Sequence, residues 1–133
     1  MGSIPANSSP VKRWTIRLQL VTPSLNEIQG QHWSWIKRHN ATTAWALVSA
    51  LNKLPQIPRP TGKRRITIER HGKGRLDADN LAGGCKGLID AVRYQRLILD
   101  DDVASVELVF RQIVTRKELP HTLLIIEDVP EVA

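Results

Sequence analysis

The chain has 133 residues, with 19 Lys and Arg against 13 Asp and Glu, and a formal net charge of +6. That length suits one domain with its own core, and the basic balance suits a polyanionic partner, of which nucleic acid is the commonest. A lone cysteine, Cys85, excludes an intramolecular disulfide and a cysteine zinc site, and no stretch is long and apolar enough to span a membrane.

The first residues, MGSIPANSSP, lack the apolar run of a signal peptide. Residues 1–12 are rich in Ser, Pro and Asn and are expected to form a disordered tail, leaving 13–133 as the folded domain. With the single cysteine, this predicts a cytoplasmic protein. RWTIRLQL alternates, with Trp14, Ile16, Leu18 and Leu20 to one side, and predicts a half-buried strand. VTPSLNEIQG carries Pro23, Ser24, Asn26 and Gly30 and reads as a loop. From Gln31 to Leu54, the residues Trp33, Ile36, Asn40, Ala44, Leu47, Leu51 and Leu54 recur at helical spacing with a mostly apolar face. PQIPRPTGK ends that helix, and RRITIER alternates as a second strand.

Helical spacing returns in DNLAGGCKGLIDAVRYQ, where Leu81, Leu88, Ile89 and Val92 form a stripe. ASVELVFRQIVT and HTLLIIED read as two strands around the charged turn RKELP. The order β-α-β-α-β-β predicts an α+β (mixed α/β) single domain, one mixed β-sheet covered by two helices.

Acids gather in RLDADNLAGGCKGLIDAVRYQRLILDDD, from Arg75 to Asp102. On extended chain Asp77 and Asp79 share a face, about 7 Å apart at the backbone, so both reach one ion. A hard divalent cation such as Mg2+ takes carboxylate oxygens and keeps waters elsewhere, which makes the pair half of a metal site. The plainer role has Asp79 capping the helix that starts there and Asp77 in a turn. A calcium loop is excluded, because Leu81, Ala82 and Leu88 stand where it requires Asp or Asn, Gly and Glu. Gly72-x-Gly74 lacks the third glycine and the Lys-Ser/Thr of a phosphate-binding loop.

In LILDDD, the run Leu97, Ile98 and Leu99 is expected to deliver Asp100, Asp101 and Asp102 to the end of a buried element; a solvated turn is the simpler role. Extended chain would turn Asp100 and Asp102 one way and Asp101 the other, a rule that a turn removes. Lys86 lies seven residues after Asp79, two turns along one helix face, and four before Asp90. It reads either as a surface i,i+4 pair or as a cation aimed at phosphate. Gly83, Gly84 and Gly87 each cost a helix about 1 kcal/mol relative to Ala. They predict either close approach of another backbone or phosphate, or a helix that starts later.

With Asp77, Asp79, Asn80, Leu81, Lys86, Asp90 and LDDD, the chain resembles the RusA family of crossover junction endodeoxyribonucleases, the Holliday junction resolvases of phages and prophages. The family pattern is D-x-D-N-L, a Lys, an Asp four residues later, then a small apolar stretch ending in Asp-Asp. Pro23 to Asn26 also resembles the family's P-S-x-N loop, and it likewise follows the first strand. The resemblance runs from about Trp14 to the last strand. Before the lysine, AGGC makes a longer gap than in the shortest members, by nearly one helical turn.

The resemblance implies a small homodimeric nuclease, dependent on Mg2+ with Mn2+ as a substitute, that cuts four-way DNA junctions by paired symmetric nicks in recombination and repair. It maps the catalytic residues onto Asp77, Asp79, Asp101 and Lys86, and the metal ligands onto Asp77, Asp79 and Asp101 or Asp102. Among the basic residues, Arg70, Lys73 and Arg75 flank the acids and are the first expected backbone contacts with branched DNA, with Lys63, Arg64 and Arg65 among the others. Trp33 and Trp35 are candidates for stacking on bases, with one of them expected in the core. His32, His39, His71 and His121 show no ligand spacing. Two other roles fit the same residues: a branched-DNA-binding module without catalysis, and an interaction protein whose aspartates only cap helices.

Overall fold

The computed structural model describes residues 12–130; apart from Lys12, the tail expected over 1–12 lies outside the described residues. The elements are β1 (Arg13–Leu18), α1 (Leu25–Gln29), α2 (Trp33–Leu51), β2 (Arg64–Gly72), α3 (Ala78–Gly83), α4 (Lys86–Tyr94), β3 (Val106–Val114) and β4 (His121–Asp128). The fold is α+β, with one four-stranded mixed sheet in the order β1-β4-β2-β3. The short helix α1 is additional to the two expected helices, and the second of those is divided into α3 and α4. No helix among the described residues is long and apolar enough to cross a membrane.

The alternation read from the strands places Ile16, Leu18, Ile66, Ile68, Leu124 and Ile126 in one core with Leu47 of α2 and Leu88 and Val92 of α4. Burying each such aliphatic side chain contributes about 1.5–3 kcal/mol. β2 runs parallel to β3 and antiparallel to β4, so the α3–α4 segment is the crossover between parallel neighbours.

Three expectations change. β3 and β4 are consecutive but not a hairpin, because β4 inserts between β1 and β2. Residues 115–120 cross the end of β2, and the Thr115 amide donates to the Gly72 carbonyl at 2.9 Å. The apolar run LLII suits this central position, since a strand paired on both sides buries more of its surface than an edge strand. Next, the loop after β1 contains α1, started by a capping box in which Ser24 accepts from the Glu27 amide and Glu27 accepts from the Ser24 amide. S-x-x-E was the signal for it. Finally, LILDDD ends no strand. Leu97 and Ile98 are buried, but Leu99 is exposed and the acids sit in irregular turns before β3.

The inward side of β2 also takes two arginines. Arg64 and Arg70 share the parity of Ile66 and Ile68, and both are buried. Arg64 donates from Nε to Asp128 Oδ1 at 2.8 Å, from Nη1 to the Leu97 carbonyl at 2.8 Å and from Nη2 to the Pro58 carbonyl at 2.7 Å. Its guanidinium carbon lies 5.0 Å from the centre of a Trp14 ring. Buried guanidinium needs such full pairing, because a desolvated charge without partners is costly.

Candidate active site

The segment that leaves β2 is pinned before it reaches the first acid. Gln112 of β3 donates from Nε2 to the Leu76 carbonyl at 2.7 Å, and its Oε1 accepts from the Leu76 amide at 2.9 Å. A side-chain amide thereby does the work of a strand partner and sets the direction of the next residue. Asp77 follows as the N-cap of α3, accepting from the Asn80 amide at 2.9 Å. Asn80 Nδ2 also lies 3.2 Å from both oxygens of the Asp77 carboxylate. These donors hold Asp77 below the usual carboxylate range, with the Asn80 amide as the first cause. The cap is therefore Asp77 and not Asp79, which stands in the first turn of α3. Both carboxylates are exposed.

Asn80 faces two ways. Its Oδ1 accepts from the Asn26 amide at 2.9 Å, a contact across 54 residues that ties the PSLN loop to the DADN turn. The glycines of the next stretch explain how the two segments come so close. A Cβ on Gly84 would collide with the Pro23 carbonyl, and one on Gly83 would lie 2.8 Å from Leu25. Gly87 is likewise pressed on α2, where a Cβ would stand 2.5 Å from Asn40 Oδ1. Close backbone approach thus accounts for glycines that a continuous helix would not favour. Gly84→Ala is expected to lower stability by about 2 kcal/mol, because rigid backbone has to move. A urea or thermal melt of the variant checks this.

The same glycines break the helix. α3 ends at Gly83 and α4 starts at Lys86, so Asp79 and Lys86 do not share one helix face. Lys86 Nζ lies 3.8 Å from Asp90 Oδ2, the ordinary i,i+4 surface pair. Cys85 is buried between the two helices, and burial pushes its thiol up to about 11. Its Sγ donates to the Leu81 carbonyl at 3.3 Å.

Asp100, Asp101 and Asp102 do not join Asp77 and Asp79. Asp102 lies in the turn just before β3, where its carbonyl accepts from the amide of Val106, the first residue of that strand, at 3.0 Å. Leu76 is held at Gln112, six residues further along the same strand, which separates the two groups by roughly 20 Å. Arg93 in the last turn of α4 draws the later acids to itself, at 3.8 Å from Asp100 and 3.9 Å from Asp101. The Asp101 amide, donating to Asp100 at 2.8 Å, is the main reason that carboxyl sits below the usual range. Among the described residues, no group of three or more His, Cys, Asp or Glu is placed to hold one metal ion. The metal set Asp77, Asp79, Asp101 and Asp102 is therefore not brought together in this chain, because the parallel β2–β3 ladder holds its two halves at opposite ends.

The expected phosphate contacts divide in the same way. Lys73 and Arg75 are exposed just before Asp77. Arg70 is not free for phosphate: it is buried, donating from Nε to the Thr22 carbonyl at 2.8 Å and from Nη1 to the Gly74 carbonyl at 3.1 Å. It braces both loops that carry the site. Lys63 and Arg65 lie at the other end of β2, and Arg65 Nε is 2.6 Å from Glu107 Oε2. Sheet register also brings together two histidines whose spacing said nothing. His71 and His121 are direct partners across β2 and β4, their rings stacked at 4.2 Å, with His71 Nε2 2.6 Å from Glu69 Oε1.

Comparison with protein-family models, curated proteins and solved structures gives no match. The exposed carboxylates of Asp77 and Asp79 lie on a braced turn with the exposed Lys73 and Arg75 just before them; carboxylate oxygen is what a hard divalent cation takes, but the start of α3 at Ala78 replaces the extended chain expected to set both acids on one face.

Proposed function

We propose that the protein is a Mg2+-dependent, structure-selective endodeoxyribonuclease that resolves Holliday junctions by paired symmetric nicks. The hydrogen bond from the Asn26 amide to Asn80 Oδ1 carries this reading. It joins two of the sequence segments on which the RusA resemblance rests, the PSLN loop and the DADN turn, and it does so beside two exposed carboxylates. On this reading Asp77 and Asp79 hold the ion. Two carboxylates are a normal protein contribution to Mg2+, the remaining positions going to water and phosphate oxygen. When bound, the ion supplies charge neutralisation at the scissile phosphate and activation of the attacking water.

The chain's own residues do the positioning. Asn80 fixes the Asp77 carboxylate, Gln112 fixes the approach of the chain, and Arg70 braces the loops from within. Lys73 and Arg75 take phosphates next to the break. Lys86 reaches the substrate after leaving Asp90, a weak exposed pair that costs little to part. A four-way junction has approximate two-fold symmetry, which a C2 homodimer matches with two sites. A third carboxylate then comes from the Asp101–Asp102 turn of the second protomer, since the chain's own turn is held too far away. The setting is the cytoplasm, where a single buried thiol stays reduced.

The test is cleavage of a synthetic four-way junction, with linear duplex as control. Paired symmetric nicks are expected with Mg2+ or Mn2+ and none with EDTA. Tight, junction-selective binding without any cut would make the protein a branched-DNA-binding module instead. Mixing a protein altered at Asp77 with one altered at both Asp101 and Asp102 tests the shared site: on this reading the mixture regains nicking that neither has alone.

A further inference from the structure

A groove of about 600 Å3 runs between β1 and α2, apart from the acids. β1 is an edge strand, paired only with β4, so its outer row of backbone groups opens on this side. Trp45 stands in the groove wall and is 72% exposed. An indole that far out of the core forgoes the burial that usually holds tryptophan in place. Arg17 enters from β1 and Lys53 from just beyond the end of α2, both exposed, and no acidic residue lines the groove among the described residues. Thr15 and Ser49 add hydroxyls to the same walls. α2 itself contains no Asp or Glu over its whole length.

An aromatic wall flanked by unopposed cations is the chemistry of a site for unpaired nucleotides. Every base has a face that stacks on an aromatic ring, and the backbone follows positive charge. We propose that this groove binds single-stranded nucleic acid, with a base stacked on Trp45 and adjacent phosphates held by Arg17 and Lys53. Charge selects this occupant over a neutral strand added to the edge of β1, because two cations without a carboxylate nearby would be left uncompensated by a neutral peptide. The proposal goes beyond the nuclease reading and does not depend on it, since neither Asp77 nor Asp79 lines the groove.

The test is fluorescence anisotropy of a labelled twelve-residue oligothymidylate with the full chain in EDTA, so that no cleavage occurs. Trp45→Ala is expected to weaken binding about tenfold, the range of one stacked base. The double variant Arg17→Gln, Lys53→Gln is expected to flatten the dependence of log K on log salt by about 1.4, at ~0.7 per single-strand phosphate contact. Tyr94→Ala, also an exposed aromatic side chain but outside the groove, is expected to bind as the unaltered chain does. Thermal melting establishes that each variant is folded; should Trp45→Ala fail to fold, the double variant carries the test. Unchanged binding by the folded variants would overturn the proposal, as would absence of oligonucleotide binding by the unaltered chain. Self-association that Trp45→Ala abolishes, with oligonucleotide binding unaffected, would also overturn it and make the groove a contact between copies.

Discussion

Asp77→Asn is expected to remove junction nicking by on the order of a hundredfold or more, the scale of losing a ligand to a charge-neutralising ion, while leaving fold and junction binding close to those of the unaltered protein. Two properties of Asp77 are separable by this change. As the cap of α3, it needs only a side-chain oxygen that accepts from the Asn80 amide. Asn is as good a cap as Asp, so α3 and the Asn26 contact should persist. As the proposed metal ligand it needs the negative charge, which Asn lacks. The hydrogen bonds from Asn80 keep the native carboxyl ionised below the usual carboxylate range, so the charge removed is one present at neutral pH and in mildly acid solution. The measurement pairs single-turnover nicking in Mg2+ with junction binding in EDTA and a thermal melt. Full activity in the variant would end the metal reading, and activity lost together with the melting transition would return Asp77 to a capping role alone.

The largest expected effect on stability lies at Arg64. Arg64→Ala should destabilise the domain by roughly 3 kcal/mol, read as a lowered urea midpoint. Three partners are left behind: the carbonyls of Leu97 and Pro58 and the Asp128 carboxylate. The Leu97 contact is buried, so its carbonyl loses a partner that water does not readily replace. Asp128 is partly open to solvent, and water moderates its share. Arg64→Lys keeps a cation but not the planar fork that reaches three acceptors at once, and it should recover only part of the loss. Arg65→Ala, one residue away, should have almost no effect, since its pair with Glu107 is exposed. A similar loss at both positions would mean that charge rather than inward pairing matters here.

The contrast between Arg64 and Arg65 shows what was legible. RRITIERHG alternates, and the parity that sends Ile66 and Ile68 inward sends Arg64 and Arg70 inward as well. Reading that parity through the charged residues would have removed both arginines from the DNA-contact set. The glycines were legible in kind, as marks of close approach, while the identity of the approaching group, the Pro23 carbonyl, was not. Asp77 and Asp79 were visible as a pair, but the cap fell two residues earlier than expected because Gln112 holds Leu76 extended up to it. Nothing near Leu76 in the chain announces Gln112, 36 residues away.

By itself, the sequence determined the order of the four strands and the two main helices and the α+β class; it also holds the local signals of the Ser24–Glu27 box and the Asp77–Asn80 turn, in segments that read as a loop and as a cap at Asp79. These depend on alternation, helical spacing and groups within a few residues of one another, which a linear pattern records. The tertiary structure decided that β4 sits between β1 and β2, that Asn26 meets Asn80, and that Asp101 and Asp102 lie at the far end of the sheet from Asp77. Those outcomes follow from which strand pairs with which and in what direction, and that choice is made by the packing of the whole chain rather than by any segment of it.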